Sequence, residues 1–138
     1  MASTYMTNMP GTTYHAVASG AVTAGDLVAS AASDDVMTAI TSAGYVESTV
    51  LVATATNSDD AIIVGVALTD AATGETLSVA TSGLFIFESG AAVTAGALVA
   101  QETTAQKLED ATAFAKVIGK ALTGASASAK YVLVKLNI

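Results

Sequence analysis

Short apolar runs, separated by Gly, Asp, Asn, Ser and Thr, recur along the whole chain. Residues 75–79 alternate apolar and polar positions, which is typical of a strand with one buried face, and residues 130–136 form the corresponding strand candidate of the second half. Residues 45–54 and 64–69 are rich in β-branched and apolar side chains, which favour strands. Residues 81–88 contain two of the three Phe residues, so we predict a core strand there.

One segment, residues 103–116, shows helical spacing, with Leu108, Ala111 and Phe114 at three-residue steps. The matching stretch of the first half, residues 34–40, has no such pattern, so we favour a strand and keep a short helix as the alternative. The chain therefore predicts a mainly all-β fold. We expect a compact β-sandwich or barrel-like domain built from two related halves, with an extended N-terminal arm and at most one short helix.

Two motifs occur twice, in the same order. Residues 19–29 (SGAVTAGDLVA) recur as residues 89–100 (SGAAVTAGALVA) with one inserted Ala, and residues 64–71 (VGVALTDA) recur as residues 118–125 (IGKALTGA). Ordered recurrence is the sequence signature of a repeated structural unit. We predict a single β-rich domain with an internal repeat, and the boundaries are 19–138 for the domain and 19–80 and 89–136 for the two copies.

Glycine holds the same place in both copies of each motif. Gly25 and Gly96 stand two residues before Leu-Val-Ala, where a tight turn would lead into a short strand. Gly65 and Gly119 lie inside apolar runs, where the missing side chain lets another backbone approach closely. We therefore expect substitution of either strand glycine to overpack the interior.

Residues 1–18 are polar and irregular and contain the only Pro and the only His of the chain. They predict an N-terminal arm outside the repeat. A disordered terminus is one interpretation, but the arm carries large apolar side chains that are costly to leave in water. We favour an arm that becomes ordered on a partner. Its candidate partner-binding residues are Tyr5, Met6, Met9, Pro10 and Tyr14.

Charge is distributed unevenly. All five basic residues are lysines that follow residue 106, and the first 106 residues carry ten acidic residues. An acidic body of this kind repels nucleic acid, whose binding proteins cluster Lys and Arg. One interpretation is a solvated surface that keeps an Ala-rich protein in solution. The alternative is that the oppositely charged parts orient neighbouring subunits during assembly.

Few residues suggest chemistry. The chain has no Cys and a single histidine, His15, so a zinc site or a disulfide is not expected. It also lacks a Gly-rich phosphate loop and has few aromatic residues for stacking on a sugar. We expect no enzyme activity and no cofactor. We interpret the acidic pairs as turn residues rather than calcium ligands; they are Asp34-Asp35, Asp59-Asp60 and Glu109-Asp110.

The first residues contain no base and no apolar segment, so we expect no secretory signal there. The longest apolar run, residues 61–68, is far shorter than the roughly 20 residues of a membrane-spanning helix. We therefore expect a protein that is soluble as made and has no membrane partner.

Three segments together resemble the small capsid decoration proteins (cement or head-stabilising proteins) of tailed bacteriophages and related viruses. They are residues 25–28 (GDLV), 64–75 (VGVALTDAATGE) and 81–85 (TSGLF). The resemblance implies a protein made in the host cytoplasm that sits, often as a homotrimer, on the outer surface of the virion and binds the major capsid protein lattice. It also implies that an N-terminal arm pairs with capsid protein.

Other classes of function fit parts of the sequence. A self-assembling tail tube, fibre or surface-filament subunit would also use β surfaces and Ala-rich packing, but it would polymerise without a capsid. A sugar-binding or other ligand-binding module would need a pocket with aromatic side chains. An enzyme would need a catalytic constellation around His15.

Overall fold

The computed structural model describes residues 4–31, 51–55, 63–102, 106–113 and 116–138. Eleven strands lie in these ranges, and the described residues contain no α-helix. The strands are β1 (Thr4–Pro10), β2 (Thr13–Ala18), β3 (Leu27–Ser30), β4 (Leu51–Thr54), β5 (Ile63–Ala67), β6 (Thr76–Ala80), β7 (Ser82–Glu88), β8 (Leu98–Gln101), β9 (Leu108–Asp110), β10 (Gly119–Ala121) and β11 (Tyr131–Asn137). The predicted all-β, barrel-like fold is confirmed.

The first half forms a closed barrel of five strands in the order β2-β4-β3-β5-β6. β2 closes it by pairing antiparallel with β6 and parallel with β4, where Val17 lies opposite Leu51. A barrel of so few strands has a narrow interior that small side chains fill. This explains the Ala-rich and Val-rich composition; the buried residues are Ala16, Ala18, Val22, Val28, Val52, Ala67, Ala71, Leu77 and Val79.

The second half forms a six-stranded sheet in the order β1-β7-β11-β10-β8-β9. β7 and β11 pair along their full lengths, from Glu88 opposite Tyr131 to Ser82 opposite Asn137. Phe85 and Phe87 on β7 are fully buried, and their ring centroids lie 6.4 Å apart. The core strand predicted over residues 81–88 is confirmed.

The strands of the two halves pair in the same spatial order. The barrel runs β2-β6-β5-β3-β4, and the second sheet runs β7-β11-β10-β8-β9. Where β2 pairs parallel with β4 in the barrel, a parallel bridge joins Ser89 and Leu108 in the second sheet. The second half thus repeats the strand pairing of the first with two differences. The single Ser89–Leu108 bridge replaces the parallel strand pair, and β1 is an additional strand that pairs with β7.

The two motif copies make matching backbone hydrogen bonds. The Gly25 N–H donates to the Ala67 carbonyl at 2.7 Å, and the Gly96 N–H donates to the Ala121 carbonyl at 2.8 Å. Both glycines have positive φ, 93° and 86°, as the predicted tight turns require. Each motif therefore forms a turn that is tied to the strand carrying the second motif of its own half.

The strand glycines lie at close contacts, as predicted. A Cβ placed on Gly65 would lie 2.5 Å from the Ala80 carbonyl oxygen. One placed on Gly119 would lie 3.0 Å from the Lys135 carbonyl carbon and would overlap its oxygen. The Val79 side chain and the Ala80 backbone fill the space at Gly65, and the backbone of Lys135 and Leu136 fills it at Gly119.

Gln106 of the second half binds the first half directly. Its side-chain amide accepts a hydrogen bond from the Leu27 N–H at 2.6 Å and donates to the carbonyls of Leu27 and Ala55, each at 3.0 Å. Leu27 and Ala55 also share one buried cluster with Phe85 and Phe87. The two halves therefore have a common hydrophobic core.

One segment of the predicted arm belongs to the barrel. Residues 13–18, which we assigned to the arm, form β2 of the barrel, because every second side chain there faces the interior. In the segment with helical spacing, residues 108–110 form strand β9 paired with β8, which agrees with the strand that we favoured there. The expectations for residues 34–40 and 45–50 fall outside the described residues. The described chain has no helix long and apolar enough to cross a membrane.

Candidate partner-binding surfaces

The N-terminal segment lies along the edge of the second sheet. β1 pairs antiparallel with β7, so that Tyr5 is opposite Ile86 and Met6 is opposite Phe85. The register shifts between Met6 and Pro10, where Pro10 lies opposite Gly83. β1 is the last strand of the sheet order, and such an edge strand is a template for pairing with another chain. Met9 lies on the same strand.

A short connection anchors β1 at the junction of the two halves. The Gly11 N–H donates to the Ser82 carbonyl at 2.9 Å, and the Thr12 N–H donates to Ser82 Oγ at 2.7 Å. The Thr81 N–H in turn donates to the Thr12 carbonyl at 2.9 Å. The connection between β1 and β2 is therefore held by hydrogen bonds to the connection between β6 and β7.

Tyr14 is separate from the other candidate arm residues. It lies on β2, packs against the barrel core, and its hydroxyl donates to the Val64 carbonyl at 3.1 Å. Burial raises the pKa of the Tyr14 hydroxyl above its usual value because the ionised form loses its water. Tyr14 is thus a part of the barrel, whereas Tyr5, Met6, Met9 and Pro10 lie on the edge strand.

A row of three residues crosses the outer face of the second sheet. Leu98 lies opposite Lys120, and Lys120 lies opposite Lys135, on adjacent strands β8, β10 and β11. We call these three residues the lysine row. Leu98 is 40% exposed, and both lysines are exposed. A groove of about 260 Å³ runs along the row; its lining residues are Leu98, Val117, Gly119, Lys120, Lys135 and Asn137.

Sequence reasoning did not identify the lysine row. The charge asymmetry was visible, but the three residues are far apart in sequence and meet only through the strand register. Alignment of the motif copies carried a partial signal, since Lys120 stands where the first copy has Val66.

The acidic residues of the first half hold its turns. Asp26 is buried, and its carboxylate accepts hydrogen bonds from the Thr23 N–H and the Thr54 hydroxyl. Asp70 Oδ1 accepts from the Ala24 N–H at 2.7 Å, and Glu75 Oε1 accepts from the Ala72 N–H at 3.2 Å. Asp70 and Glu75 are exposed and line one shallow depression.

The residues considered for chemistry lie apart from one another. His15 is exposed on β2 opposite Ser78. Asp110 accepts hydrogen bonds from the N–H and hydroxyl of Thr94, which fits the turn role expected of it. The described residues contain no cluster of three or more potential metal ligands. The pairs Asp34-Asp35 and Asp59-Asp60 fall outside the described residues.

Comparisons with known proteins agree with the resemblance found in the motifs. A family model described as phage cement protein matches residues 59–136, which is more than half of the chain. No curated protein matches the sequence. The crystal structure of the head fiber gp8.5 N base of bacteriophage phi29 is similar, with a TM-score of 0.53, 16% identity and 94% of each chain covered. At that identity the likeness concerns the fold.

Proposed function

Because the chain belongs to the phage cement protein family, we propose that it binds the outer surface of an assembled capsid as a homotrimer and stabilises the shell. The observation that carries the proposal is the family match over residues 59–136, which includes the second motif of each half. The role is structural and non-enzymatic, and the protein acts in the virion.

Physical reasoning explains how such a protein stabilises a capsid. A ligand that binds the assembled lattice, and not the free subunit, shifts the equilibrium toward the assembled state. Several identical contacts made by one oligomer then add through multivalency. A rigid, small-residue barrel suits this task because it loses little conformational freedom on binding.

We assign the capsid contact to β1. Its pairing with β7 leaves its other edge at the end of the sheet order, where a strand of capsid protein can add. Tyr5, Met6, Met9 and Pro10 on this strand are the candidate contact residues. The arm of this proposal is residues 1–12, and β2 and Tyr14 belong to the barrel.

We also infer that the halves are copies of one structural unit. The recurring motifs, the common strand order and the matching turn hydrogen bonds support this inference. The first copy then begins with β2, so that each unit contains five strands.

Binding to capsids that lack the protein tests the proposal. We expect the purified protein to co-sediment with such capsids and to raise the temperature at which they break. A Tyr5→Ala/Met6→Ala/Met9→Ala variant should stay folded and lose co-sedimentation. A control variant with three exposed threonines replaced (Thr69→Ala/Thr73→Ala/Thr112→Ala) should bind as the unaltered protein does.

Each outcome has a separate meaning. Absence of binding by the unaltered protein would overturn the capsid role. Full binding by the arm variant would overturn the role of β1 only. Growth of the purified protein into open-ended polymers without capsids would favour a tube, fibre or filament subunit.

A further inference from the structure

The barrel contains a row that corresponds to the lysine row. Leu27 lies opposite Val66, and Val66 lies opposite Ala80, on strands β3, β5 and β6. We call these residues the barrel row. The lysine row lies on β8, β10 and β11, which follow one another in the same order in the second sheet. The two rows therefore occupy the same side of their respective halves.

The second half covers the barrel row. All three of its residues have no exposed surface and belong to the cluster that contains Phe85 and Phe87. On the same side, the amide of Gln106 is hydrogen-bonded to the backbone of Leu27. This side of the first half is thus a contact between the two halves, whereas the lysine row on the same side of the second half is exposed.

The lysine row is electrostatically unfavourable by itself. Like charges directly opposite each other on antiparallel strands repel, and Lys120 and Lys135 are such a pair. Neither ammonium group has an acidic partner among the residues that the structure describes. By contrast, Lys107 pairs with Glu88 at 3.4 Å. An acidic surface placed against the row would remove the repulsion and cover Leu98.

The first half of another copy has the complementary charge. Residues 1–81 contain eight acidic residues and no basic residue. Asp70 and Glu75 each use one carboxylate oxygen in a turn hydrogen bond. The second oxygen of each has no hydrogen-bond partner in the described part of the chain, and both side chains line one depression.

We propose that the lysine row of one copy binds the acidic first half of a second copy, with Lys120 and Lys135 facing Asp70 and Glu75. The contact is heterologous, since different surfaces of the two copies meet, and a heterologous contact generates a ring when its rotation closes. The inference rests on the proposed homo-oligomer and names the surfaces that form it.

Sedimentation of the full chain at several concentrations and salt levels tests the contact. We expect Lys120→Glu and Lys135→Glu each to raise the dissociation constant between copies at least about tenfold, because attraction becomes repulsion. Lys130→Glu is the matched control, since it changes the net charge equally at an exposed position outside the row. Association of the unaltered protein should weaken as salt screens the charges.

Mixing of oppositely altered copies gives the sharpest result. Lys120→Glu/Lys135→Glu and Asp70→Asn/Glu75→Lys should each associate poorly alone and should associate with each other when mixed. The Asp70→Asn change keeps the side-chain oxygen that accepts the turn hydrogen bond. A monomeric unaltered protein, equal effects of Lys120→Glu and Lys130→Glu, or no association in the mixture would each overturn the proposal. Capsid binding, measured in parallel, reports separately on the proposed function.

Discussion

Gly74 and Ala129 occupy the same place in the two halves, and both have a positive φ. Their φ angles are 86° and 60°. The Gly74 N–H donates to the carbonyl of Ala18, the last residue of β2, at 2.7 Å, and the Ala129 N–H donates to the carbonyl of Ser89, the residue after β7, at 2.9 Å. A left-handed conformation is costly for any residue with a Cβ. The second half therefore contains a strained turn that glycine relaxes in the first.

We expect Ala129→Gly to stabilise the protein by up to about 1 kcal/mol and Gly74→Ala to destabilise it by about 1 kcal/mol. Urea denaturation measures both changes. Gly20→Ala is the control, because φ at Gly20 is not positive and a Cβ there would meet no atom within 4 Å. Equal responses at positions 20 and 74 would contradict the role of the backbone angle.

We expect Gly65→Val and Gly119→Val each to lower the free energy of unfolding by about 1–3 kcal/mol, through overpacking. At both positions the added atoms would meet neighbouring backbone. Thermal unfolding of the two variants, with Gly20→Val alongside, checks the prediction. Unchanged midpoints at 65 and 119 would show that the neighbouring strands can move apart without cost.

We expect Gln106→Gly to destabilise the protein by about 1–3 kcal/mol. Gly suits the φ of 66° at this position, but the variant loses the hydrogen bonds to Leu27 and Ala55 and leaves buried backbone groups unpaired. Denaturant unfolding gives the loss, and hydrogen exchange locates it. A variant as stable as the original protein would contradict the prediction, because relief of the backbone strain would then offset the loss of these bonds.

Tyr14 makes stability depend on pH in the alkaline range. Its folded-state pKa is raised by burial above the unfolded value, so the unfolded chain loses the proton first as pH rises. Stability from this group is therefore complete below pH 10 and declines as pH rises through the folded-state pKa. Comparison of unfolding midpoints of the original protein and Tyr14→Phe from neutral pH to above pH 10 isolates this contribution, since the other tyrosines are common to both.

At neutral pH, Tyr14→Phe should cost about 0.5–1.5 kcal/mol, the net value of the lost hydrogen bond to Val64. The difference between the two proteins should then shrink at alkaline pH. A constant difference across the range would contradict the burial of this hydroxyl.

Features of the fold that depend on local pattern followed from the sequence. The Phe-rich run 82–88 is a buried strand, and Gly65 and Gly119 lie at close contacts. The sequence did not predict that the barrel closes, because closure depends on the parallel pairing of Val17 with Leu51, and these two residues are far apart in the chain. Period-two patterns state which face of a strand is buried but not which strand lies beside it.

The positions of the candidate surface residues also depend on strand register, which the sequence pattern does not give. Tyr14 looked like an arm residue because it lies in the polar, irregular residues 1–18 that precede the first motif copy. Its place in the barrel comes from the pairing of β2 with β6, where Tyr14 lies opposite Val79. The opposition of Lys120 and Lys135 likewise appears only when β10 and β11 are aligned.

The closed barrel of the first half has a consequence for how the molecule can grow. A cylinder of strands offers no free main-chain groups along its sides, whereas the second sheet ends in the edge strand β1. In the part of the chain that the structure describes, another polypeptide can extend a β-sheet at the second sheet alone. The two halves therefore differ in how they can assemble: the barrel cannot accept another strand along its sides, and the second sheet can.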